Sequence, residues 1–278
     1  MELSHLISNA KNMPTIPKIV QELIESFGEQ NVNSKEIADK VSKDQAMTAK
    51  VLRMANSAKY GGHRQVGSVN DAVVLLGFNA LRTLVLASGL TSAFTTPVGF
   101  DITSFWKKSF AIASLSKWLA KYSQDIDGEI AFTCGMLHDL GGLLTHILVH
   151  EDAQEIDRVV AKGADRIEME SSRLGFTYPE AGAELARRWK FPEDIVDGIY
   201  HQLNPEVENK NGETEYKTLA GIIYLATFLY QNSDQDSKTV IDNLPNREIE
   251  KLAVDKVALI DNMEEIADLN SEIDQLLN

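Results

Sequence analysis

One adjacent His-Asp pair stands within the apolar, glycine-flanked run Cys134-Gly135-Met136-Leu137-His138-Asp139-Leu140-Gly141-Gly142-Leu143-Leu144. Imidazole and carboxylate are both good ligands for a divalent cation, so the pair points to metal-assisted chemistry. Neighbouring positions on a helix lie about 100° apart, so His138 and Asp139 can share one ion only if other helices supply further ligands. A His-Asp dipeptide at a protein surface is commonplace. In an apolar segment it is not, because two buried ionisable groups must be paired, neutralised or metal-bound.

The elements that would position this pair read as helices almost throughout, with no sustained apolar/polar alternation and only seven prolines. An all-α fold follows. Pro17 suits a first helical turn, and Ile19, Val20, Leu23 and Ile24 form a stripe behind it. Asn33 with Glu36 reads as a capping box, and Asp44 opens a helix whose Met47, Val51, Leu52, Met54 and Ala55 make one apolar face. Tyr60-Gly61-Gly62 should stop that helix. Its Arg53 and Asn56 either present polar groups to a groove shared with the second lobe, or Asn56-Ser57 simply terminates the helix. Ser68, with Asp71 three residues on, starts the segment from Ala72 to Leu76, and a stripe from Leu81 through Leu84, Val85 and Leu90 follows Gly77. Thr95-Thr96-Pro97-Val98-Gly99 is the expected lobe boundary. Beyond it, helices are expected over Ser104–Leu119 and Ile130–Leu137, with residues 143 to 150 continuing helically.

Other side chains could also do chemistry. His146 and His150 stand four apart, which puts both imidazoles on one helical face. No third ligand is evident beyond Glu151-Asp152, so they read as a surface pair rather than a zinc site. Asp197 and His201 share the same spacing, which either aims His201 at the His138-Asp139 region or makes an ordinary helix-surface pair. Cys134, the single cysteine, sits in an apolar helical run and reads as a buried packing thiol. Asn204 to Glu215 reads as an exposed loop. In the acidic tail Leu259, Met263, Ile266, Asn270, Ile273 and Leu277 form a short heptad stripe, serving either a helix packed back on its own domain or a homodimer seam.

Composition bounds the function classes. The chain has 278 residues, 44% hydrophobic and 24% charged, which is enough to bury a large core. Its net charge of −14 opposes broad nucleic-acid binding. Lys107-Lys108 and Arg187-Arg188-Trp189-Lys190 are the local exceptions, and both read as solvated helix faces. No apolar run reaches the length of a membrane span, and Met1-Glu2-Leu3-Ser4-His5 lacks the pattern of a secretion signal, so the expected location is cytoplasmic.

Several separated segments resemble the HDOD (HD-related output domain) branch of the HD phosphohydrolase superfamily over roughly residues 10 to 232. They are Met13-Pro14-Thr15-Ile16-Pro17, the stretch from Val51 to Gly61, Ala72-Val73-Val74-Leu75-Leu76-Gly77, the His-Asp segment, Tyr178 to Ala186 with Trp189 and Pro192, and Ile199-Tyr200-His201. The resemblance implies a two-lobed helical fold with an N-terminal lobe over 1–97, an HD-like lobe over 98–232 and an acidic extension over 233–278. It also implies what is missing. Lys108 falls where catalytic relatives carry their first His, Thr227 where they carry the last Asp, and Tyr178 where binuclear relatives carry another His. His138, Asp139 and His201 remain. A protonated Lys cannot ligate a metal, and the Lys108 ammonium is expected to stand against Asp139 instead. The implied protein is a regulatory module with a degenerate site, needing no cofactor and acting through an unidentified signalling protein or small ligand. The alternative is a metal-dependent phosphohydrolase acting on a nucleotide or cyclic dinucleotide, with His138 and Asp139 as metal ligands.

Overall fold

The first turn of a helix leaves amides without intrahelical partners, and this chain repeatedly supplies an acidic or hydroxyl side chain to meet them. Ser68 Oγ accepts from the Asp71 amide at 3.0 Å, Asp101 Oδ1 from Ser104 at 3.0 Å, Asp127 Oδ1 from Glu129 at 2.8 Å and Asp165 Oδ1 from Glu168 at 2.9 Å. In the computed structural model, which describes residues 3–9, 13–25, 34–56, 65–209 and 211–266, the result is an all-α fold. The helices are α1 (Leu3–Asn9), α2 (Lys18–Glu25), α3 (Ser34–Lys43), α4 (Gln45–Ala55), α5 (Val69–Leu76), α6 (Phe78–Ala93), α7 (Ile102–Ala120), α8 (Gly128–Leu137) and α9 (Leu140–Leu148). They continue as α10 (His150–Val160), α11 (Arg166–Leu174), α12 (Tyr178–Arg188), α13 (Glu193–Tyr200), α14 (Thr218–Gln231), α15 (Ser237–Asp242), α16 (Asn246–Lys251) and α17 (Lys256–Asp261).

The stripes read from the sequence point inward. Val20, Leu23, Ile24, Val51, Leu81, Leu84, Val85 and Leu90 are buried in one hydrophobic cluster, which runs on through Phe94, Trp106 and Leu137 to Ile199 and Ile223. That cluster crosses the Thr95–Gly99 segment without interruption. The long α7 is buried on two sides, because Ile112, Leu115, Trp118 and Leu119 belong to a second cluster with Leu225 and Leu229 of α14 and with Val240, Leu252 and Leu259.

Several local expectations need correction. Residues 143 to 150 do not continue as one helix: α9 ends at Leu148, and Val149 takes φ −136° and ψ 54° before α10 starts. Asn204 to Glu215 is not merely a loop. Glu206–Glu208 (β1) and Thr214–Tyr216 (β2) pair antiparallel with Val207 opposite Glu215. Strands of three residues are too short for alternation to show, and the turn is held by Asn209 Oδ1, which accepts from the Asn211 and Glu213 amides. Of the two readings of Asn56, its contacts bear out the helix-terminating role. Its amide accepts from Val66 N at 2.7 Å and donates to Val66 O at 2.9 Å and Leu52 O at 2.8 Å, so it stitches the end of α4 to the start of the next segment. Among the described residues, the extension from 233 contains the three short helices α15, α16 and α17. Leu259 is fully buried, Met263 and Ile266 pack against the second cluster, and Trp118 Nε1 donates to Glu265 Oε2 at 2.8 Å, so this part of the stripe folds back on its own domain. Asn33, Ser57, Tyr60, Gly61, Gly62, Asn270, Ile273, Leu277 and the side chain of Met54 lie outside the described residues.

The glycines flanking the His-Asp pair let helices approach closely. A Cβ at Gly135 would fall 2.8 Å from the Ala113 Cα, where α8 crosses α7. One at Gly141 would fall 1.9 Å from the Tyr178 carbonyl oxygen and 2.5 Å from the Gly182 amide, both on α12. Gly141→Ala should therefore destabilise by about 3 kcal/mol or more, since rigid backbone rather than a flexible side chain must yield. Gly67→Ala is the control, with its nearest neighbour at 3.8 Å and an expected effect within about 0.5 kcal/mol. Urea midpoints measure both, and equal midpoints would refute the close-approach argument.

Candidate functional site

The His-Asp pair does not lie within a helix, as the sequence pattern implied, but on the break between two. His138 terminates α8, and Asp139, at φ −112° and ψ 9°, leads into α9. This turn lies in the protein interior. His138 is 2% exposed, and its Nδ1 sits 2.7 Å from the Gly135 carbonyl oxygen. A carbonyl can only accept, so Nδ1 carries the hydrogen and Nε2 holds the lone pair. That Nε2 is buried and has no hydrogen-bond partner among the described residues. Burial, reinforced by the nearby Lys108, lowers the imidazole pKa to about 4, so the ring is neutral at pH 7.

Asp139 is compensated differently. Lys108 of α7 donates to Asp139 Oδ2 at 2.8 Å. Burial pushes the Asp139 carboxyl upward, but Lys108, with smaller help from His138 and Arg166, outweighs it and holds the group below its ordinary 3.8. Tyr178 opens α12 beside this carboxylate. Burial, then Asp139 and Glu170, push its phenol far up, so it stays protonated. The turn therefore gathers His138, Asp139, Lys108 and Tyr178.

Two other residues read from the sequence do not join them. His201 ends α13, and its pKa is lowered by burial while Asp197, Lys217 and Glu215 act on it. Lys217 bridges Asp197 at 2.8 Å and Glu215 at 2.9 Å, so the 197/201 pair belongs to the hairpin side of the molecule. The next residue makes the connection instead: the buried Gln202 donates from Nε2 to the His138 carbonyl oxygen at 2.7 Å. Thr227 is half-buried on α14 and, among the described residues, makes no hydrogen bond to the turn. A cavity of about 540 Å³ lies near the 197/217 cluster, not at the turn, and its lining includes Asp125, Asp127, Glu193, Asp194, Asp197 and Glu215. Such a lining repels phosphate esters.

Behind the turn runs a charged chain that sequence reasoning missed. His146 is 6% exposed, not a surface residue, and its ring sits 2.9 Å from the Gly142 carbonyl oxygen at Nδ1 and 2.8 Å from Asp157 Oδ2 at Nε2. Arg166 donates to the other Asp157 oxygen at 2.5 Å and to Glu170 Oε1 at 3.3 Å, and Glu170 Oε2 accepts from the Tyr178 amide at 2.7 Å. Burial raises the Glu170 pKa despite these donors. The available sequence signal was the four-residue spacing of Arg166 and Glu170 on a mostly polar helix. Cys134 is buried, and burial raises its thiol well above its ordinary value, so it is protonated and unreactive. The basic clusters are largely engaged. Arg187 and Arg188 pair with Glu184, and Lys190 pairs with Glu25.

No group of three or more His, Cys, Asp or Glu side chains able to hold a metal occurs among the described residues. One imidazole nitrogen and one carboxylate already bound to an ammonium do not fit the divalent cation that the HD pattern implies.

The HDOD domain family matches residues 13–205. The chain belongs to the HDOD family. It is 34% identical to a candidate phosphohydrolase from Shewanella amazonensis SB2B, covering 99% of this chain and 98% of that one with a TM-score of 0.85. An HDOD domain protein of unknown function from Geobacter sulfurreducens shares the fold at 22% identity and a TM-score of 0.83, covering 99% and 96% of the two chains. A curated relative, an uncharacterised protein of Treponema pallidum, is 23% identical over 230 residues, which are 81% of this chain but 44% of that protein. The chain thus spans less than half the length of that relative. The family match contains His138, Asp139, Lys108, Tyr178 and His201, whereas Thr227 lies beyond it.

Lys108→Ala should destabilise by about 1–2 kcal/mol at neutral pH, less than the loss of a fully buried partner because the Lys108 side chain is 39% exposed. The Asp139 pKa is lower folded than unfolded, so the pair's contribution is present above 3.8 and is lost as pH falls through the folded value. The gap between wild type and variant in chemical denaturation should therefore close in acid. A gap that widens there would remove the pair from the account.

Proposed function

We propose that this HDOD protein is a regulatory, signal-transducing module that acts by binding a protein or small ligand rather than by hydrolysis. One observation carries the reading. The Asp139 carboxylate, which would be a metal ligand in an active HD site, is taken by Lys108 at 2.8 Å. A fixed ammonium gives Asp139 its charge balance, but it offers no exchangeable coordination position for a substrate or a water. In this reading the module has two lobes meeting near residue 97 and an extension from residue 233, works in the cytoplasm, and uses neither nucleic acid nor membrane as its partner. No helix of the described residues is long and apolar enough to cross a membrane.

A second reading, a metal-dependent phosphohydrolase acting on a nucleotide or cyclic dinucleotide, keeps one specific support. His138 Nε2 is a buried lone pair without a hydrogen-bond partner among the described residues, in a chain 34% identical to a candidate phosphohydrolase. Under it, His138 and Asp139 would hold the metal and Lys108 would have to leave Asp139.

The two readings separate on metal dependence. A cation at one hundred times its Kd would add about 2.7 kcal/mol of stability, which a thermal melt detects easily. The expected result with Mn²⁺, Mg²⁺ or Zn²⁺ is no shift in Tm and no turnover of phosphomonoesters, nucleotides or cyclic dinucleotides. Metal-dependent turnover that disappears in His138→Ala and Asp139→Ala would overturn the binding module in favour of the enzyme, since a contaminating phosphatase would not respond to those substitutions.

A further inference from the structure

Both ring nitrogens of His146 stand against acceptors. Nδ1 faces the Gly142 carbonyl oxygen at 2.9 Å and Nε2 faces Asp157 Oδ2 at 2.8 Å. Neither oxygen can donate, so both contacts are satisfied only when the ring carries two hydrogens. We propose that His146 is a pH-sensitive latch, tying α9 to α10 as the imidazolium and releasing Asp157 when it loses its proton.

The neutral ring has one hydrogen and one lone pair, so one of the two oxygens must then face a lone pair at hydrogen-bond distance. The Gly142 contact lies within α9 and is fixed by the helix. The Asp157 contact crosses to α10 and is the one able to open. The charged groups acting on the ring are Asp157 from α10 and Arg166 from α11, while the segment before α7 presents the Phe100 ring with centroids 4.6 Å apart. Arg166 keeps hold of Asp157 and of Glu170 after the proton leaves, so the carboxylate stays ionised and the released proton goes to solvent. What loosens is the attachment of the α10–α11 unit to the helix that begins at Asp139.

The direction follows from the balance of effects on the ring. Burial lowers its pKa, but the bonds to Asp157 and Gly142 outweigh burial and Arg166, and the group sits above 6.5. A pKa raised in the folded state contributes stability that is complete below 6.5 and is lost as pH rises through the folded value. The latch is closed on the acid side and opens on the alkaline side.

Ring resonances of the full-length protein, with His146 assigned through its contact to Phe100, give the first measurement. His146 should titrate above 6.5 in the wild type and at a lower pH in Asp157→Asn. Amide hydrogen exchange from pH 6 to pH 9, corrected for the intrinsic rate, gives the second. Protection in α10 should fall roughly tenfold across the His146 transition, in keeping with the loss of one charge-assisted hydrogen bond, while protection in α7 stays level. His146→Gln should make the α10 profile flat. A ring that titrates at or below 6.5, or wild-type α10 protection that does not change with pH, would overturn the latch, and both of these measurements stand even if a variant fails to fold.

Discussion

An ionised carboxylate beside a neutral imidazole, on a turn between two apolar helices, must be balanced by a cation. Much of the architecture around residues 134–144 answers that requirement. The backbone that carries Asp139 is held in place, because Gly141 lies against the backbone of Tyr178 and Gly182. The compensation must therefore come to it. Lys108 reaches across from α7, and its position is set by the helix capped at Asp101 and buried on two sides by separate apolar clusters. A carboxylate fixed by backbone packing and an ammonium fixed by a long helix make a rigid pair.

The same requirement recurs one layer behind the turn. Glu170 is 2% exposed and remains acceptable in the interior because it meets Arg166 on one oxygen and the Tyr178 amide on the other. Arg166 in turn shares Asp157 with His146. Charge thus alternates from imidazole to carboxylate to guanidinium to carboxylate, and it ends on the first amide of α12. Since Tyr178 opens the helix against which Gly141 packs, this chain and the Lys108–Asp139 pair brace the turn from opposite sides. Networks of this kind are stable only while every member is satisfied, which is why a change in one proton can matter.

Much of the fold was legible because it rests on local rules. Apolar stripes at helical spacing, Ser68 with Asp71, and Asp44 before its helix all specify structure within a few residues. The identity of the turn was legible for the same reason, since His138-Asp139 in an apolar run is conspicuous. Less legible was everything that depends on long-range packing or on a single backbone angle. The break at Val149 separates His146 from His150 without any glycine or proline to announce it, so their four-residue spacing suggested a shared face that does not exist. His201 carried the family pattern, yet the contact with the turn is made by Gln202, in the turn that follows α13. Arg166 and Glu170 looked like any exposed ion pair on a polar helix. Only the tertiary fold, which buries Glu170 and sets the Tyr178 amide on its Oε2, makes the pair part of the site.

A lysine and a metal ion can meet the same structural need of a carboxylate in different ways. A divalent cation balances a carboxylate while keeping open positions through which substrate and water exchange. An ammonium balances the charge by three directed hydrogens on a chain anchored in a helix, and it exchanges with nothing. The structural demand of Asp139 is met here by the Lys108 ammonium at 2.8 Å. His201 lies on the hairpin side, where Asp197, Lys217 and Glu215 act on it. What persists at the turn is a buried polar junction joining α7, α8, α9 and α12, with the carbonyl of His138 tied to Gln202 beyond α13. A junction of that kind holds helices in one relative arrangement, and under the proposed binding reading it is the element through which a binding event on one helix would reach the others.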